Sequence, residues 1–180
     1  MRRDHRLDRS ALILAPPSGV DQIIASFGDV HKYIQPDGTL DPRWQTEFID
    51  RVALPFPLLL SWDHSKSVRQ FACHKRLTTI FASVFANILA EELQARVKSF
   101  GGCFAFRPER TSVKLSTHSW GIAIDLNPET NLQGSAGDMD AQVIKVFRDA
   151  GFEWGGIGAE TGETRCTSSF VPVIRLAHRM

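Results

Sequence analysis

The chain has 180 residues, enough for one domain with a real core and too few for two comfortable ones. It is 43% hydrophobic and 23% charged with a net charge of +1, so bulk electrostatics give no reason to expect a nucleic acid or an acidic membrane as partner. Cys73, Cys103 and Cys166 are an odd number without a C-x-x-C pair, which argues against a disulfide scaffold and against a thiolate zinc site.

In chain order, residues 1–19 read as an N-terminal extension. Charges at Arg2, Arg3, Asp4, Arg6, Asp8 and Arg9 precede a short apolar run, Ala11 to Ala15, that ends at Pro16-Pro17. That run is too short for a signal peptide, and no window reaches the ~18 apolar residues of a membrane span. Synthesis in the cytoplasm, with outside help for any export, is the expectation. A short helix is predicted over Gly19 to Phe27, and Pro36-Asp37-Gly38 is a turn signal. Arg51 to Trp62 reads as a strand that Pro55 and Pro57 confine to an edge or break. From about Cys73 to Val97, Leu77, Ile80, Phe81, Val84, Phe85, Ile88, Leu89 and Leu93 recur at helical spacing, which predicts one long helix with a core-facing stripe. His74 opens it, and without a spacing partner it reads as a supporting or surface histidine, not a ligand. Asp138 and Asp140 precede an amphipathic run, a capped helix ending before Gly151.

The densest chemistry lies in Ser116-Thr117-His118-Ser119-Trp120-Gly121-Ile122-Ala123-Ile124-Asp125. On an extended strand Ile122, Ile124 and Leu126 bury on one face while Asp125 points out of the other, and Gly121 and Ala123 leave room around its carboxylate. Imidazole nitrogen and carboxylate oxygen are ordinary zinc ligands, and a catalytic zinc takes three protein ligands plus an open position. His118 and Asp125 supply two. An incomplete site adds no binding free energy to folding, so His118→Ala is expected to matter little to stability.

The pattern S-x-H-x-x-G-x-A-x-D resembles the zinc-ligand motif of the LAS, or hedgehog-like, metallopeptidases: D-Ala-D-Ala carboxypeptidases and dipeptidases and L-alanyl-D-glutamate endopeptidases. Leu54-Pro55-Phe56-Pro57, Ser61-Trp62-Asp63, His74-Lys75, Gly101 to Arg107, and Gly151 to Gly156 are similar, in order, to landmarks of the endolysin-type branch. The resemblance covers roughly residues 20–156. It implies a single α+β domain with a central antiparallel sheet flanked by helices and carrying His118 and Asp125. It further implies zinc as cofactor, peptidoglycan stem peptides as substrate and hydrolysis of a peptide bond, with release of the phage-lysin type or action at the cell wall. Arg107, with Arg110 as fallback, would face the scissile carbonyl and hold the oxyanion. Ser116 would bind substrate or orient the ligand loop, although a serine before a turn is commonly a cap.

The chain departs from the family after Trp154-Gly155-Gly156. The family's third ligand is a histidine in a string like Asp-x-Met-His-Phe-Gln, with the acid three residues earlier as general base; residues 157–170 contain no histidine. Reading each new codon as the last base of one codon and the first two of the next changes this. Glu163 into Thr164 gives Asp or Asn, Arg165 into Cys166 permits Met, and Cys166 into Thr167 gives His or Tyr. The shifted text can read Asp-Ala-Met-His-Phe-Gln, and Gly156 through Gly158 can complete Trp-Gly-Gly-Asp-Trp. Loss of one G from the Gly155-Gly156 codons would produce the present sequence, making 157–180 an out-of-frame tail. His178, in Arg175 to Arg179, is a weak substitute ligand without the family's context. A degenerate relative that binds peptidoglycan without cutting it is the alternative.

Overall fold

The computed structural model describes residues 19–108, 114–132 and 137–155, and the backbone of 169–172. Helix α1, Val20–Phe27, starts where the sequence places it and buries Ile23 and Phe27. Helix α2, Pro42–Phe48, has no counterpart in the periodicity, but its start is written in Asp41-Pro42: the Asp41 carboxylate accepts from the Arg43 amide and proline sits in the first turn, where no N–H is needed.

Strand β1, Ile49–Leu60, alternates cleanly, with Val52, Leu54, Phe56 and Leu58 buried and Ala53, Pro55 and Pro57 exposed. It lies between β2, Asp63–His74, and β3, Ser99–Gly102, so it is not an edge strand. The prolines are tolerated because the ladder to β2 slips between Ala53 and Leu58, and β3 meets β1 only at Leu59 and Leu60. The sequence gives little warning of β2, because its first half is polar and exposed.

The long helix expected from Cys73 to Val97 is shorter. Cys73 and His74 end β2; Lys75–Leu77 form a 3₁₀ turn; helix α3 spans Thr78–Ala90, and a second 3₁₀ turn covers Gln94–Arg96. Apolar spacing could not separate strand end from helix start, since Phe71 and Cys73 are buried like the helical stripe that follows. Strand β4, Ile124–Leu126, helix α4, Ala141–Asp149, and strand β5, Phe152–Trp154, complete the core, with the Asp140 carboxylate capping α4 as expected. Ser169–Pro172 forms β6 and pairs antiparallel with both β4 and β5, so part of the segment read as an out-of-frame tail joins the sheet.

The fold is α+β, and its sheet order is β2-β1-β3-β4-β6-β5. It is mixed rather than purely antiparallel, because β1 and β3 run parallel with α3 in the crossover between β2 and β3. Helices α3 and α4 are joined to the sheet by rings: Phe71 meets Phe81 and Phe100, Phe85 meets Phe147, and Phe147 meets Phe152. Each such buried side chain contributes about 1.5–3 kcal/mol from area alone. This core fixes β3, which holds Gly101, beside β4, which carries Asp125.

Candidate functional site

His118 does not sit on the sheet, which corrects the expectation that the sheet carries both ligands. Ser116 caps a single 3₁₀ turn over Thr117–Trp120 by accepting from the His118 amide, and Gly121 ends the turn at φ 67. A Cβ on Gly121 would lie 2.9 Å from the His74 nitrogen and 3.2 Å from the Cys73 carbonyl carbon, so both the left-handed turn and the close approach to β2 require glycine. The Trp120 indole donates to the Gly28 carbonyl at 2.9 Å and anchors the turn from beneath.

The chain then enters β4; Ile122 just before it and Ile124 and Leu126 within it are buried, as expected. Asp125 faces the other way and is about one-seventh exposed. Gly101 leaves room beside it: a Cβ there would stand 2.9 Å from the Asp125 Cβ. Asp125 is paired to Gly102 on one side and to Ser169 on the other.

The turn and the strand bring the two predicted ligands together. His118 Nε2 lies 3.4 Å from Asp125 Oδ1, with both side chains largely buried. The other ring nitrogen, Nδ1, is 2.8 Å from the Cys103 carbonyl oxygen. A carbonyl can only accept, so Nδ1 carries the proton and Nε2 is aimed at the carboxylate. Imidazoles that bind metals are oriented in this way, by donating the other N–H to a backbone carbonyl or carboxylate. Zinc bonds of about 2.0–2.1 Å at tetrahedral angles separate two ligand atoms by about 3.3 Å. The observed separation therefore fits two positions of a zinc shell. Among the described residues no cluster of three such donors exists, so the set is incomplete there.

Cys103 orients His118 through its backbone while its thiol donates to the Gly121 carbonyl at 3.6 Å. No sequence signal points to a carbonyl. Both described thiols are free and buried. Burial pushes Cys73 up to about 12 and Cys103 well above the ordinary thiol value, so neither supplies a thiolate. His74 is buried and structural: Nε2 donates to the Phe27 carbonyl, Nδ1 accepts from the Arg76 amide, and burial lowers its pKa to about 4. It caps the turn after β2 and supports Gly121 from below.

Arg107 is half-buried, and no ion pair among the described residues involves it. Its backbone is stitched to the His118 turn: the Ser116 amide donates to its carbonyl at 3.0 Å, and the Ser119 hydroxyl contacts both its N–H and its C=O. Ser116 thus acts as a cap and holds the turn. Arg110 and His178 lie outside the described residues.

Residues 109–157 match the model of the D-alanyl-D-alanine carboxypeptidase family. The matched stretch, under a third of the chain, includes Ser116, His118 and Asp125 and stops at Ile157. Neither a curated protein nor a solved structure matches the chain. Among the described residues no helix is long and apolar enough to cross a membrane. Over residues 109–157, then, the chain is similar to the D-alanyl-D-alanine carboxypeptidase family, a likeness at the level of a peptidase family.

Proposed function

We propose that this domain derives from a zinc-dependent peptidase acting on peptidoglycan stem peptides, as a D-Ala-D-Ala carboxypeptidase or an L-Ala-D-Glu endopeptidase of the endolysin type. The observation that carries the reading is the pairing of His118 Nε2 with Asp125 Oδ1 at 3.4 Å while Nδ1 is held by the Cys103 carbonyl. His118 and Asp125 would hold the metal. Zinc, when bound, supplies a Lewis acid and makes a water acidic enough to ionise near neutral pH. Arg107 would place a fixed cation where negative charge develops on the carbonyl oxygen. Cys103 and Ser116 keep the imidazole oriented, and Gly101 keeps the approach to Asp125 open.

The chain as it stands is read as crippled, because residues 157–170 contain no histidine for the third ligand and therefore no acid placed three residues before one as general base. A lost guanine after Trp154 accounts for this, and two observations support it. The family match stops at Ile157, one residue beyond Gly156, and the shifted codons can spell the missing histidine and acid. Residues 157–180 are accordingly proposed to be out of frame, with 20–156 as the metallopeptidase-like domain. Zinc content separates this reading from its alternative, a relative that binds peptidoglycan without cutting. The present chain should lose zinc on dialysis against a mild chelator, and a chain with the reading frame restored should keep it. Loss of zinc from both would leave the binding module.

A further inference from the structure

Ser119 is the second buried polar residue of the His118 turn, and it is fully buried. Its hydroxyl accepts from the Arg107 amide at 3.1 Å and donates to the Arg107 carbonyl at 3.0 Å, so a single side chain occupies both polar groups of one residue. Three neighbouring contacts continue the seam: the Ala105 amide donates to the His118 carbonyl, the Ser116 amide donates to the Arg107 carbonyl, and Pro108 bridges to Leu115. Pro108 also restricts Arg107 to extended backbone. Of these contacts, only the Ser119 hydroxyl reaches the Arg107 N–H. Ser119 follows His118 directly, so the arginine backbone and the imidazole share one rigid reference.

We propose that Ser119 is a positioning residue that sets the place of the Arg107 guanidinium relative to His118. The inference rests on the reading of Arg107 as the group that meets the scissile carbonyl. A long side chain reaches a fixed point only if its Cα is fixed, and displacement by about 1 Å at a reacting centre can cost on the order of a hundredfold in rate.

The test uses the full 180-residue chain. In Ser119→Ala, amide exchange at Arg107 should accelerate about tenfold, the loss of one net hydrogen bond. The Arg107 Nε–H resonance should move toward that of a free arginine. Ser99→Ala, which removes a buried hydroxyl bonded to Glu129 instead, should leave both signals in place whatever its effect on stability. Unchanged Arg107 signals in Ser119→Ala, or equal changes in Ser99→Ala, would overturn the proposal. Titration with a synthetic stem peptide ending in D-Ala-D-Ala separates this from the functional reading. Arg107→Ala and Ser119→Ala should each weaken binding about tenfold, and the double variant no further. A weaker Arg107→Ala with an intact Ser119→Ala defeats the positioning role. An unaffected Arg107→Ala shows that the guanidinium makes no contact with the bound peptide before reaction, and the exchange data then decide whether Ser119 fixes its backbone.

Discussion

Gly121→Ala is the substitution whose cost can be worked most directly from the structure. A residue with a Cβ held at φ 67 costs about 1–2 kcal/mol against its preferred backbone. The added methyl would also stand 2.9 Å from the His74 nitrogen, 3.1 Å from the Ile49 Cδ1 and 3.2 Å from the Cys73 carbonyl carbon. Two of these neighbours are backbone, tied by the 2.8 Å bond from the His74 amide to the Gly121 carbonyl, so they cannot move aside cheaply. Overpacking of this kind adds about 1–3 kcal/mol. The sum, about 2–5 kcal/mol, lowers Tm by the order of 10 °C for a chain of this size. Differential scanning calorimetry or urea unfolding followed by tryptophan fluorescence reads it. A Gly121→Ala protein that melts within about 1 °C of the parent would refute the account of the turn that presents His118.

His118→Ala should cost about 2–4 kcal/mol in urea unfolding even without metal, because the ring is buried and its loss strands the Cys103 carbonyl; this replaces the expectation of little effect, and a neutral variant would contradict it. His74 is held neutral with a folded pKa of about 4, below its unfolded value near 6.5. Its contribution is therefore complete above about pH 6.5 and is lost as pH falls toward 4, by up to about 3 kcal/mol, and His74→Gln should flatten stability across that window. Cys73 and Cys103 should react with a thiol reagent only as fast as the protein unfolds, as mass spectrometry of labelled peptides would show; rapid labelling of either in the folded protein would contradict their burial.

Local signals served well wherever one residue dictates the geometry. Asp140 caps α4, Ser116 caps the His118 turn, and the alternation of Ile122, Ile124 and Leu126 finds β4. Long-range pairing was hidden. The parallel contact of β1 with β3 rests on two residue pairs, and strand β2 is too polar in its first half to announce itself. The motif named His118 and Asp125 but not the shape that joins them, a 3₁₀ turn set by a serine cap and a left-handed glycine just before the strand. Cys103 and Ser119 escaped notice for a related reason: one acts through a backbone carbonyl and the other through a partner twelve residues away. Gly101 was visible only as part of a glycine pair, and its closeness to Asp125 depends on the β3–β4 register.

The central claim, a zinc peptidase interrupted after Gly156, is tested most directly by restoring one guanine in the Gly155-Gly156 codons. Zinc content after dialysis and peptide release from purified peptidoglycan are then measured beside the chain as it stands. The account predicts that the repaired protein keeps stoichiometric zinc and releases stem-peptide fragments, while the present chain does neither. A repaired protein that holds zinc and leaves every stem peptide uncut, or a present chain that keeps stoichiometric zinc, would contradict it.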